Sequence, residues 1–241
     1  MLKIMGIMNL TPDSFLEESR ASAGTAGKVM ERMIADGADI IDIGAVSSRP
    51  GAAEVSLEDE WNRLKPVIPL LGDFPFSIDT CRSEIVRRVY DSAGPFVVND
   101  ISAGEDDPEM LHTVAALGLT YVAMHKRGNP RTMDAMCDYP GGVVEELLQY
   151  FRNFEAKASA AGIRDWILDP GFGFAKTAEQ NIELLDHLRD FSVFGRPLLV
   201  GIADKRFTGG DTEKYHRIAV RNGADILRVH NVAAAQPLRT L

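Results

Sequence analysis

Polar residues able to bind or transfer charge recur in this chain at one kind of position, the end of a short apolar run. Asn9 ends the first run, Asp42 the second, Asp79 the third, Asn99 the fourth, His125 the fifth and Asp169 the sixth. Lys205 follows the seventh, and Arg228 and His230 end the eighth. Arg228 and His230 are two apart, so on a strand they share one face, and a guanidinium fork beside an imidazole suits phosphate oxygens. Ser48-Arg49-Pro50-Gly51 adds a hydroxyl and a second guanidinium in a loop shaped by Pro and Gly. With Asn9 these residues make a candidate anion pocket.

The acids suit a different ligand. A carboxylate at an apolar mouth is costly unless it is paired or hydrogen-bonded. Asp79 and Asp169, with Asn99, can accept N–H groups from a flat nitrogen heterocycle such as a 2-aminopyrimidinone. Phe172 and Phe174 in DPGFGFAKT are placed to cover its face. The plainer alternative pairs these acids with Lys205 or uses them as helix caps. Asp42 stays open between ligand and loop main chain. No pair reads as a glycosidase dyad, and no His/Cys group has zinc spacing.

The elements that must position these groups are legible as eight short runs: 3–8, 38–44, 74–79, 96–101, 119–125, 165–170, 197–202 and 225–230. Each is apolar enough to be covered on both sides, as parallel strands are. Helical patterns separate them. Ser56 with Asp59 starts a helix through Trp61, Leu64 and Val67; Val143 to Ala160 is amphipathic, with Gly162 as a stop; Thr177 with Gln180 caps a helix carrying Ile182, Leu184, Leu185 and Leu188. Strands alternating with helices over 1–241 predict a single α/β domain, an eight-fold β/α (TIM) barrel. A doubly wound open sheet is the competitor, weakened because no G-x-G-x-x-G follows the first strand. In a barrel, chemistry gathers on the face where strands finish, which is where these polar residues fall.

The bulk numbers narrow the function classes. A net charge of −9 over 241 residues disfavours nucleic acid or a membrane surface as partner, so an anionic ligand needs a local basic cluster. Two cysteines far apart, no leader pattern and no apolar run of about 18 residues predict a reduced, cytoplasmic protein.

The stretches IMGIMNLTPDSF, GADIIDIG with SSRPGA, SIDT, VVNDIS, MHKRGNP, DPGFGFAKT and ILRVHNV, in that order, resemble dihydropteroate synthases. They run from near residue 4 to about 232, and the first and sixth are the most specific. The resemblance implies a pterin-binding β/α barrel that joins 6-hydroxymethyl-7,8-dihydropterin diphosphate to p-aminobenzoate, giving 7,8-dihydropteroate and diphosphate. It places Asp79, Asn99, Asp169 and Lys205 on the pterin, with Phe174 against the ring. It places Arg49, Arg228 and His230 on the diphosphate, and Asn9 on an accompanying Mg²⁺. Lys205, Arg228, His230 and Arg49 would then be the catalytic cations, with Ser48 on the p-aminobenzoate side. Thr11 to Phe15 would begin a loop closing on the diphosphate.

Three departures mark the p-aminobenzoate side. Where the family reads Ser-Arg-Lys-Ser, this chain has Ala203-Asp204-Lys205-Arg206, so Arg206 replaces a serine expected to meet the carboxylate. The segment that follows is shortened, which predicts a short or poorly formed helix after strand seven, with Gly209-Gly210 in a loop. The tail is short and Pro237 limits its last helix, which weighs on the homodimer the family suggests. A paralogue that binds pterin diphosphate without transferring it, and a pterin-dependent methyltransferase, are the alternative functions. The second has less use for Arg49, Arg228 and His230.

Overall fold

A computed structural model describes residues 1–10, 23–47, 54–129, 132–203 and 205–241. Eight parallel strands follow one another in it: β1 (Lys3–Asn9), β2 (Ile40–Gly44), β3 (Phe76–Asp79), β4 (Val97–Asp100), β5 (Thr120–Met124), β6 (Trp166–Asp169), β7 (Leu199–Val200) and β8 (Ile226–Val229). Their order in the sheet is β6-β5-β4-β3-β2-β1-β8-β7. The ring closes just before β7, where Leu168 pairs with Leu198 and the Leu168 N–H donates to the Pro197 carbonyl at 2.9 Å. The structure is therefore the β/α barrel, and the open-sheet alternative is excluded.

The helices are α1 (Ala23–Ala35), α2 (Leu57–Leu64), α3 (Ser83–Ala93), α4 (Met110–Leu117), α5 (Val143–Ala161), α6 (Ala178–Asp186), α7 (Thr212–Arg221) and α8 (Val232–Ala235). The expected caps are present. The Ser56 hydroxyl accepts from the Asp59 N–H, and Thr177 with Gln180 forms a reciprocal capping box. Gly162 ends α5 in the left-handed conformation. Leu188 falls beyond α6 in a 3-10 turn, and Ile182 is exposed rather than part of the core stripe.

Of the two alternatives for the helix after strand seven, the poorly formed one is excluded: α7 has ten residues, and its Lys214 N–H is capped by the Asp211 carboxylate. Gly209 and Gly210 do lie in the loop before it. The tail behaves as predicted: α8 runs only four residues before Pro237 starts a 3-10 turn. Arg239 then pins that turn to the barrel floor, donating to Asp39 at 2.6 Å and to the carbonyls of Leu2 and Gly37.

Two apolar clusters hold the ring. The larger lies between strands and helices and includes Phe151, Trp166, Phe154 and Phe191. Phe151 is fully buried at its centre, 6.4 Å from the Trp166 ring and edge-on to Phe191. The smaller fills the barrel interior: Met5, Ile40, Val122, Ile167, Leu199 and Ile226, with Val97 against them. Truncating Phe151 to alanine should cost ~3–5 kcal/mol through the lost burial and the cavity left behind. Urea unfolding of Phe151→Ala checks this, and an unchanged midpoint would remove Phe151 from the core.

Candidate active site

The interior cluster sets the address of the polar residues above it. Side chains on one face of a strand repeat every second residue. Asp42 lies two residues beyond Ile40, Asn99 two beyond Val97, Asp169 two beyond Ile167, and Arg228 two beyond Ile226. Four of the floor residues, Ile40, Val97, Ile167 and Ile226, are thus followed on the same inward face by a polar one nearer the strand's end. Those ends form one rim of the barrel.

Asp42 is the hub of that layer. Its side chain is wholly buried. Ser77 on β3 donates to its Oδ1 at 2.5 Å, and Asn99 on β4 donates to both oxygens at 3.1 and 3.2 Å. Arg228 on β8 donates Nε–H to Oδ2 at 2.6 Å and reaches Asp79 on β3 at 2.8 Å with its second nitrogen. Two residues assigned to the ligand from sequence, Asn99 and Arg228, thus meet on a carboxylate whose role the sequence left open, and a third, Asp79, joins them through Arg228. Among the described residues, Asp42 bonds side chains and not loop main chain. Burial disfavours the Arg228 charge, but Asp42 and Asp79 more than offset this and raise its pKa. Burial also pushes the Asp79 carboxyl up, with Arg228 opposing.

A second group stands on the loop after β6. Asp169 accepts the Gly171 N–H at 2.8 Å. Burial pushes its carboxyl up to about 6, against that hydrogen bond and the positive charges of Arg228, Lys205 and Lys176. The Lys205 ammonium lies 4.3 Å from the centre of the Phe174 ring. Burial and then Arg228 bring Lys205 down to about 8, while Asp169 and Asp79 pull it back. Asp79, Asp169, Lys205 and Arg228 therefore share one electrostatic environment.

Phe172 is not a ligand-facing aromatic. It is buried and stacks at 6.1 Å on Phe207, which in turn meets Tyr215 edge-on at 5.5 Å. This aromatic file locks the loop after β6 to the 3-10 turn Arg206–Thr208 and to α7. Arg206 is exposed at the start of that turn.

Asn9 ends β1 opposite Gly44, which is itself opposite Asp79. A methyl group on Gly44 would come within 3.3 Å of the Asn9 Oδ1 and 3.5 Å of the Asp79 Cβ, so the glycine leaves room between them. His230 follows β8 and is half-buried. His125 follows β5 and is buried against Lys176, whose Nζ lies 3.0 Å from its Nδ1. Ser48, Arg49 and Asp204, and the Thr11–Phe15 stretch, lie outside the described residues. On either side of residues 48–53, Arg63 donates to the Ala45 carbonyl at 2.7 Å and Arg82 to that of Val55 at 2.6 Å.

Sequence reasoning missed Ser77 and Lys176. Ser77 has a usable signal, since it lies two residues before Asp79 on the same face. Lys176 sits inside DPGFGFAKT, but only the fold shows its burial.

Such a rim, with acids beside an aromatic face and a paired guanidinium at the barrel's mouth, defines a small-molecule site of a β/α-barrel enzyme. Residues 5–230 match the family model described as pterin binding enzyme. A dihydropteroate synthase from Synechocystis is 43% identical over 249 residues, covering 96% of this chain and 86% of that protein. In fold, the chain is similar to Yersinia pestis dihydropteroate synthase in a sulfonamide drug complex, with a TM-score of 0.92 at 33% identity over 99% of this chain and 92% of that one. The Xanthomonas albilineans dihydropteroate synthase with 4-aminobenzoic acid gives 0.87 at 35% identity, over 99% and 91% of the two chains. The chain belongs to the pterin binding enzyme family.

Replacing Asp42 with alanine strips Arg228 of its closer partner inside the barrel, which should cost about 3 kcal/mol because the remaining charge stays buried. Chemical denaturation measures this, and a midpoint equal to that of the parent would show that Asp42 does not anchor Arg228.

Proposed function

We propose that the chain is a dihydropteroate synthase, a transferase that condenses 6-hydroxymethyl-7,8-dihydropterin diphosphate with p-aminobenzoate. The observation that carries this reading is the joining of Asp79, Asn99, Asp169, Lys205 and Arg228 on one rim of the barrel. Asp79, Asn99 and Asp169 offer acceptors and an amide to the edge of a pterin, and Phe174 with Lys205 offers a face. Arg228, with His230 and Arg49, holds the diphosphate. Ser48 and Arg206 are the residues of this reading for the p-aminobenzoate carboxylate. An arginine there keeps a carboxylate partner where the family's serine is missing.

The reaction breaks the C–O bond between the pterin methylene and the diphosphate and forms a C–N bond to the amine, which then loses a proton. Negative charge grows on the departing oxygen, so cations fixed beforehand stabilise the transition state more than the ground state. Arg228 is fixed in this way: two carboxylates orient its fork before any ligand arrives. The amine attacks with its own lone pair, so no nucleophile–base pair is required of the protein. The pterin, gripped on its edge and face, presents the methylene in one orientation.

Mg²⁺ belongs to the same proposal. Among the described residues no three His, Cys, Asp or Glu side chains group to hold a metal. The donors present suit an ion that arrives with the diphosphate and takes one or two protein oxygens, with phosphate and water supplying the rest. Asn9 would hold it, and the ion would neutralise leaving-group charge. A cytoplasmic location, drawn from the two separated cysteines, and a homodimer, suggested by the family resemblance, are further parts of the reading; no helix among the described residues is long and apolar enough to cross a membrane.

Purified chain supplied with both substrates and Mg²⁺ should form dihydropteroate and release diphosphate; pterin diphosphate binding without product would contradict the assignment. Asp169→Asn should weaken pterin binding by ~1–3 kcal/mol through a lost charged acceptor, measured by calorimetry. Unchanged affinity would remove Asp169 from the pocket. Affinity for a pterin analogue should rise with pH as Asp169 ionises near about 6 and fall as Lys205 loses its proton near about 8. A flat profile across that range would show that neither charge contacts the ring.

A further inference from the structure

Lys176 is buried, carries a potential charge, and has no part in the reaction described above. Its Nζ lies 3.0 Å from each of three acceptors: His125 Nδ1, the Gly171 carbonyl and the Phe174 carbonyl. In its protonated form the group has three N–H bonds, so its donors are matched one for one. His125 is itself buried, with the Tyr150 ring edge-on at 4.8 Å. Burial, reinforced by Lys176 and Arg127, holds its imidazole well below the usual range, so it is neutral and its Nδ1 lone pair receives the lysine.

The backbone that Lys176 gathers is unusual. Gly171, Gly173 and Ala175 have φ of 71°, 76° and 50°, three left-handed residues alternating over five positions. Alanine there is disfavoured by about 1–2 kcal/mol, so this loop needs outside support. At Gly171 a methyl group would stand 2.0 Å from the His125 carbonyl oxygen, which shows how tightly the loop lies on the end of β5. Tyr139 donates to the Ala175 carbonyl at 3.0 Å, and the Gly173 N–H donates to Asn181 at 2.7 Å.

The ligand-facing groups hang from this same loop. The Gly171 N–H orients Asp169, and Phe174 faces Lys205. Burial brings Lys176 down to about 7; Asp169 favours its charge, and Lys205 and Arg127 oppose it. We propose that Lys176 is a positioning residue, one that ties the loop after β6 to His125 and so sets where Asp169 and Phe174 meet the pterin, an inference that rests on the pterin-binding reading of this rim.

Lys176→Met in the full chain separates positioning from bulk stability. Hydrogen exchange, followed without substrate, should speed up by about tenfold or more at residues 171–177 while strands β1 to β4 keep their protection. In the assay, KM for pterin diphosphate should rise about tenfold while KM for p-aminobenzoate stays within about twofold. Equal exchange in the loop, or both KM values moving together, would overturn the role. Should Lys176→Met not fold, Lys176→Gln, which keeps a donor without the charge, is read by the same two measurements. If the parent chain makes no product, the functional assignment fails, and the exchange comparison alone still decides whether Lys176 holds the loop.

Discussion

An ion pair between β2 and β8, Asp42 with Arg228, is the constraint around which this barrel's mouth is organised. The two residues lie 186 positions apart in sequence, yet β1 alone separates their strands in the sheet. Burying two charges is costly and their attraction repays it only with good geometry and further hydrogen bonds. Those bonds are present: Ser77 and Asn99 complete Asp42, and Asp79 takes the other side of the guanidinium. The result is a polar layer resting directly on an apolar floor, with orientation fixed before a ligand binds. Pre-orientation of this kind is where electrostatic catalysis gains over water, whose dipoles must rearrange as charge moves.

The site divides by element type. Strands carry Asp42, Asp79, Asn99, Asp169 and Arg228, whose positions follow from the ladder and cannot drift by one residue without turning to the opposite face. The segments after β6 and β7 carry Phe174, Lys205 and Arg206. The loop after β6 is tied down from several directions, by Lys176, Tyr139 and Asn181, and by the Phe172–Phe207–Tyr215 file. This last link runs into α7. Through Tyr215 and Phe207, α7 is therefore packed onto the loop after β6, not merely appended to the barrel.

Much of this was legible in the sequence, and the reasons differ by feature. All eight strands were readable because a barrel strand is covered on both faces, which leaves runs such as IIDIG almost free of polar residues. Caps at Ser56 and Thr177 were readable because they depend on residues three apart. Closure was not, since the Leu168–Leu198 pairing lacks any local signature. Asp42 was undecided because its partners come from three other strands. Phe172 was misplaced because PGFGF does not show which ring faces inward, and Ile182 because helical spacing alone does not say where an apolar stripe ends. The doubt over α7 arose from length, whereas Asp211 as its cap was the better guide.

The most direct test is a crystal structure of the chain with pterin diphosphate bound. The account predicts the pterin edge within hydrogen-bonding distance of Asp79, Asn99 and Asp169, its ring beside Phe174 and Lys205, and the diphosphate toward the β8 end near Arg228 with the Asp42 pair intact. A ligand bound elsewhere, or bound at the rim only after Arg228 has left Asp42 and turned away from the phosphates, would contradict it.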